Sequence, residues 1–189
     1  MRMQSTSFLA SVLTLLAVSA CAVTPGQETS DQSAEALGST NHPGPNYIIE
    51  KATFDQGNPK VLDGAATKGA GATLETWDTT SFPPGQQWTI STSGELRSAG
   101  NQALCLDVTG ARFVPGARVE TWTCNGQANQ KWFIEADQTN GPQFGVIRPV
   151  GHPDLCIDVT HASTANHAPL ELWKCNGQSN QRWALFSSG

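Results

Sequence analysis

Asp107, Glu120 and Trp122 are followed by Asn129-Gln130, and 51 residues later Asp158, Glu171 and Trp173 are followed by Asn180-Gln181. Each set combines two carboxylates, an indole ring and two primary amides. An ionised carboxylate only accepts hydrogen bonds, an amide both donates and accepts, and an indole presents a broad apolar face. Two carboxylates can also act as the acid and base that flank a scissile glycosidic bond. Here the pair is written more than once, whereas a catalytic constellation is usually single and set in a deep pocket, so repetition points to shallow, repeated binding. The sequence contains no G-x-S-x-G, H-E-x-x-H or phosphate-loop pattern. His42, His152, His161 and His167 are scattered in polar contexts and read as solvated surface.

A third, degenerate set precedes these two. Asp63, Glu75 and Trp77 keep the pattern, but Gly85 stands where the others have Asn, and only Gln86 of the amide pair remains. Each set closes on a second tryptophan two residues after a glutamine, and Asp63–Trp88, Asp107–Trp132 and Asp158–Trp183 all span 25 residues. Trp132 and Trp183 run on into apolar residues (Trp132-Phe133-Ile134, Trp183-Ala184-Leu185), which marks the closing rings as core. Trp77, Trp122 and Trp173 each follow a Glu by two positions and lead into polar chain, so these rings suit a pocket wall, with a packed ring as the alternative.

Cysteine placement follows the repeats. Cys105 and Cys124 are 19 residues apart, as are Cys156 and Cys175, while the first copy has Val61 and Thr79 at the matching places. Both partners are lost together, which predicts disulfides Cys105–Cys124 and Cys156–Cys175 within repeats; zinc ligation is the weaker reading, since neither C-x-x-C nor a suitably spaced His occurs. No metal or cofactor is expected.

The elements that must position these residues are short. From about Tyr47 onward, runs such as Gln87-Trp88-Thr89-Ile90-Ser91 and Gly145-Val146-Ile147-Arg148 alternate or are β-branched, and Gly, Asn, Asp and Pro clusters punctuate them. This is an all-β pattern in internal repeats. Ahead of it, residues 1–20 read as a secretory signal, with Arg2, the apolar stretch Phe8–Val18 and a small-residue exit. Val18-Ser19-Ala20-Cys21 resembles a bacterial lipobox, so Cys21 is the expected lipidation site and membrane anchor, with a soluble secreted protein as the alternative. An Ala rather than Asp at position 22 resembles the signal that sorts such proteins to the outer membrane of a two-membrane cell. Residues 21–45 form a polar, Pro- and Gly-containing linker that cannot bury enough to fold, with a reach of roughly 25 to 30 Å as a flexible chain. The formal charge of −5 and pI near 5.2 carry no basic stripe and argue against nucleic acid.

Three in-register copies of a C-[LI]-D-V opening, an E-x-W middle and an N-Q-x-W close resemble the ricin B-type lectin domain, the QxW β-trefoil. The resemblance covers residues 46–189, with repeats at about 46–94, 95–138 and 139–189. It implies twelve short strands in three lobes, six in a barrel and six capping it, with Trp88, Trp132 and Trp183 as central core rings. It also implies sugar sites. A pyranose has an apolar C–H face that stacks on an aromatic ring and hydroxyls that demand paired donors and acceptors.

Carried over, the second lobe offers Asp107 and Asn129 as polar contacts, Trp122 as platform, Glu120 as a further acceptor and Gln130 in support. The third offers Asp158, Asn180, Trp173, Glu171 and Gln181. Glu120 and Glu171 occupy a place where the family often has Gln. The first lobe, with Asp63, Glu75 and Trp77 but no Asn and no cysteines, is expected to be structural or weak. The implied function is a glycan-binding, lectin-like lipoprotein of the cell envelope, with galactose-type sugars or xylan-type polymers as partners. A trefoil scaffold without sugar binding and, less favoured, a glycoside hydrolase are the alternatives.

Overall fold

A computed structural model describes residues 45–64, 68–79, 83–135 and 144–187. The signal, Cys21 and nearly all of the linker therefore lie outside the described residues, as does most of the extra length between the second and third repeats. All described residues fall in one compact unit.

Three hairpins repeat one register. β2 (Lys60–Asp63) pairs with β4 (Glu75–Asp78), β7 (Asn101–Val108) with β8 (Ala117–Thr123), and β11 (Leu155–Val159) with β12 (Ala168–Lys174). Asp63 lies opposite Glu75, Asp107 opposite Glu120 and Asp158 opposite Glu171. The one residue that the first copy lacks between Asp and Glu is therefore absorbed in the hairpin loop, and the paired carboxylates keep their register.

The other six strands close a ring. β13 (Trp183–Ser187) pairs with β1 (Asn46–Glu50), β1 with β5 (Gln87–Ile90), β5 with β6 (Leu96–Ser98), and β9 (Trp132–Glu135) with β10 (Val146–Pro149). The two remaining joints are single contacts at equivalent places: Trp132 N donates to Gly94 O at 2.8 Å, and Gly145 bridges Trp183. This is the six-strand barrel with a three-hairpin cap that the resemblance implied, a closure that leaves the barrel no free edge.

Among the described residues the strand count is thirteen rather than twelve, because the third strand of the first repeat is interrupted at Leu74. β3 (Ala72–Thr73) pairs with β8 whereas β4 pairs with β2 and β12. Leu74 changes partner between them: its N–H donates to Val119 O at 3.1 Å and its carbonyl accepts from Leu170 N at 3.0 Å.

Trp88, Trp132 and Trp183 are buried, and their indole N–H groups donate to the carbonyls of Leu62, Leu106 and Ile157 at 3.0, 3.0 and 3.2 Å. Each ring thus satisfies its one polar atom on the second strand of its own repeat while filling the centre with Leu74, Val119 and Leu170. Disulfides join Cys105 to Cys124 and Cys156 to Cys175. For closed loops of this length the chain-entropy model gives about 3 kcal/mol each. Where the first repeat lacks the bond, buried Lys60 donates to Asp78 Oδ1 at 2.6 Å and to Asn166 Oδ1 at 3.1 Å.

One buried acid has no such compensation. Glu50, at the end of β1 and leading into a short helix α1 (Lys51–Asp55), is fully buried with neither carboxylate oxygen hydrogen-bonded. Burial pushes its carboxyl up from 4.5 to about 7. Between those values the folded chain holds a proton that the unfolded chain has released, so stability falls as pH rises from about 4.5 to about 7 and stays lowered above. Glu50→Gln is expected to flatten that slope and raise the melting temperature above pH 7 while leaving it unchanged near pH 4, with about 3 kcal/mol as the upper bound on the gain. Thermal denaturation across pH 4 to 9 checks it; parallel pH profiles for the two proteins would refute it.

Candidate functional site

In the second lobe, strand alternation puts Glu120 and Trp122 on one side of β8, two residues apart. The same hairpin sets Asp107 opposite Glu120 and Cys105 opposite Trp122. A 3-10 turn at Ala128–Gln130 then delivers the amide pair beneath the carboxylate. Asn129 Nδ2 donates to Asp107 Oδ2 at 2.9 Å, and Gln130 Nε2 donates to the same oxygen at 2.8 Å. Gln130 also donates to Thr123 O at 3.0 Å and accepts from Asn125 N at 2.8 Å, which ties the Asn125-Gly126 turn to the floor of the site. One carboxylate oxygen of Asp107 is thereby saturated. The other has no hydrogen-bond partner among the described residues.

The third lobe repeats this network with Asn180 and Gln181 on Asp158 Oδ2 at 3.0 and 2.7 Å, and with Gln181 bridging Lys174 O and Asn176 N at 3.0 and 2.9 Å. Burial raises both carboxyls above the ordinary aspartate value, and the amide hydrogen bonds pull the other way. Trp122 and Trp173 stand out at 45% and 44% exposure. That separates them from the closing tryptophans and favours the platform reading over the packed ring. An open groove runs past Trp122, Asp107, Asn129, Arg118, Gly110 and Gly71.

Gln130 and Gln181 take the supporting part expected of them: both are fully buried and bond the Asp and the backbone without reaching the groove. Other expectations need correction. Asn129 and Asn180 are largely buried, and their amide nitrogens are spent on Asp; Asn129 lines the groove, and its Oδ1 is a buried acceptor with no partner among the described residues. Glu120 is not a free acceptor, because Arg118 binds its carboxylate. Glu171 has Pro169 where Glu120 has Arg118, and burial together with the charge of Asp158 raises its carboxyl. Arg118 was missed, although its place two residues before Glu120 on the same strand face signalled it. Gly71 belongs to another repeat, so only folding brings it to Trp122.

The first lobe is altered. Gln86 Nε2 still donates to Asp63 Oδ2, at 3.1 Å, but no Asn reinforces it. Trp77 is half-buried and packs against the His167 ring at 3.9 Å between centroids. Glu75 lies 3.0 Å from His167 Nδ1 and 3.6 Å from Lys68 Nζ. His152 stacks on Phe113 at 3.9 Å. His152 is half-buried, where sequence reading took it as solvated; His167 is exposed, as that reading expected, and still lays its ring against Trp77.

The model of the ricin-type beta-trefoil lectin domain-like family matches residues 54–122 and 84–173, well over half of the chain. The chain belongs to this family. Among curated proteins, this ricin-type trefoil is 31% identical to serine protease 1 of Rarobacter faecitabidus, with 51% of the chain and 26% of that protein covered. The match thus spans about a quarter of that relative's length. Among solved structures, the designed threefold-symmetric protein ThreeFoil is 26% identical, with a TM-score of 0.62 and coverage of 76% of this chain and 98% of that one. A ricin B-like lectin of Macrolepiota procera, solved with lactose, shares the fold at 19% identity and a TM-score of 0.63, with 78% and 98% covered. Membership of this lectin-domain family supports carbohydrate binding. A trefoil of this family also accompanies a protease in Rarobacter, so the domain occurs beside catalytic chains.

Proposed function

We propose that this ricin-type trefoil binds glycans without catalysis at two shallow grooves, one in the second lobe and one in the third. The observation that carries this reading is the pair of half-exposed rings, Trp122 and Trp173, each beside an Asp that keeps one unshared carboxylate oxygen. The ring supplies a stacking face for a pyranose, and the free oxygen accepts a sugar hydroxyl through a charge-assisted hydrogen bond. The paired Asp and Glu recur in every lobe on facing strands of a cap hairpin, which suits repeated binding better than a glycosidase acid and base. Galactose-type sugars are the first candidates, in keeping with the lactose complex of the Macrolepiota neighbour; xylan-type polymers are the second.

A single shallow site with a Kd of ~1 mM corresponds to only about −4 kcal/mol. Two grooves per chain, on many copies at one surface, gain effective concentration instead. Display on the cell envelope through a lipidated Cys21 fits that need, with the polar linker as tether. Substituting Cys21→Ser is expected to move the protein from the membrane fraction to the soluble exported fraction; an unchanged distribution would count against the anchor and favour secretion as a soluble protein.

A glycan array probed with the exported chain tests the binding itself. Binding to one sugar class that is lost on substituting both Asp107 and Asp158 supports it. No bound glycan from a well-folded chain would favour a protein-interaction scaffold.

A further inference from the structure

Gly71, Gly116 and His167 occupy one position in three lobes. Each precedes the alanine that opens the third strand of its repeat (Ala72, Ala117, Ala168), and each reaches across to the neighbouring lobe. Gly71 N donates to Thr121 O at 2.6 Å, Gly116 N to Leu172 O at 2.7 Å, and His167 N to Thr76 O at 3.0 Å. The accepting residue is in every case the one just before the exposed-class tryptophan. All three positions have positive φ, at 87°, 83° and 63°. That region suits glycine and costs other residues roughly 1 kcal/mol or more.

The direction in which a side chain leaves this position can be read from the glycines. A Cβ on Gly71 would meet the Trp122 ring at 3.5 Å, and Gly71 lines the second-lobe groove; a Cβ on Gly116 would meet Glu171 Oε2 at 3.8 Å. At His167 the side chain is present. Its ring packs edge to face on Trp77, and its Nδ1 sits 3.0 Å from Glu75 Oε2. A ring against the platform is the contact a sugar would make in the other grooves, and the polar atom rests on Glu75, the residue that faces the Asp of this lobe.

The neighbouring residue fixes this arrangement. Asn166 accepts from Asp78 N at 2.9 Å and from Lys60 at 3.1 Å, and donates to Asp78 Oδ2 at 2.7 Å. The cluster sits where the first repeat lacks its disulfide, so the loss of that bond and the docking of the third lobe's loop belong to one rearrangement.

We infer that the His167 imidazole is a built-in occupant of the first groove, so that one residue sets the chain's glycan valency at two rather than three. This rests on the reading of the other two grooves as sugar sites. Substitution His167→Gly empties the groove and also relieves the backbone at φ 63°, so the variant is expected to fold as well as the parent or better.

The test is NMR of the full exported chain with labelled tryptophan, titrated with lactose, N-acetylgalactosamine and xylotriose. In the parent, the Trp122 and Trp173 indole signals shift with sugar and Trp77 stays silent. In His167→Gly, Trp77 responds as a third site, weaker than the others because Gly85 supplies no amide, and His167→Gly with Gly85→Asn tightens it several-fold. A Trp77 signal that already responds in the parent would overturn the inference. So would one that stays silent in both variants while Trp122 and Trp173 respond. Silence of all three rings toward all three sugars would remove the sugar reading itself, and this inference with it.

Discussion

Replacing Asp107 by Asn is expected to weaken glycan binding in the second lobe by roughly 10- to 100-fold, the worth of about 1.5 to 3 kcal/mol for a hydrogen bond to a charged group. Asp158→Asn does the same in the third lobe, and the double variant loses detectable binding because sites that start weak have no margin. The change is close to isosteric. An Asn side-chain oxygen still accepts from the two amides that now converge on Oδ2, while the groove-facing oxygen becomes an NH2 that cannot accept a hydroxyl proton.

Stability is expected to hold, since burial already disfavours both charged carboxylates and the substitution removes that charge. The same raised carboxyls predict that binding fades on acidification at a higher pH than an exposed aspartate would give. Calorimetric titration of each single variant, paired with its melting curve, checks both halves. Retained binding in the double variant would refute the assignment; a collapse of the fold in either single variant would show Asp to be structural.

The tryptophans are expected to split cleanly under alanine substitution. Trp132→Ala and Trp183→Ala each remove a ring that is at least 97% buried and hydrogen-bonded to a core carbonyl, so each should cost about 3 to 5 kcal/mol of stability. Against a typical total of about 5 to 15 kcal/mol, that leaves a chain that is marginal or unfolded. Trp122→Ala and Trp173→Ala remove rings at 45% and 44% exposure and should shift stability by about 0.5 kcal/mol or less. Their cost falls on binding instead, about tenfold per lobe if stacking on sugar is worth what stacking on another ring is worth. Denaturant titration and glycan binding, measured on the same four variants, should give opposite rankings. Trp122→Ala destabilising the fold as much as Trp132→Ala would return the platform to the core.

The fold was legible because the repeats carry it redundantly. Spacing alone separated the two tryptophan classes, since a ring following Gln and leading into apolar strand has nowhere to go but inward. Paired loss of both cysteines in the first repeat, where Val61 and Thr79 stand, identified the disulfide partners for the same reason: a covalent bond needs both ends, so both change together. Glu120 was read as a free acceptor because its neighbour across one residue, Arg118, was not weighed. Gln130 and Gln181 were read as supports, and the hydrogen bonds they donate to Asp107 and Asp158 are of that kind.

By itself, then, the sequence determined what each lobe is made of: the 25-residue span from Asp to the core Trp, the cysteine pairs, and the Glu with the ring two residues beyond it. These are relations within one repeat, set by strand alternation and hairpin pairing over a few dozen residues. Only the tertiary structure decided which lobes are open. That depends on residues donated by a neighbouring lobe, Gly71 beside Trp122, Gly116 beside Glu171 and His167 on Trp77, which come together through closure of the threefold cap. His167 lies 90 residues from the ring it covers, and no local pattern reports a contact at that separation.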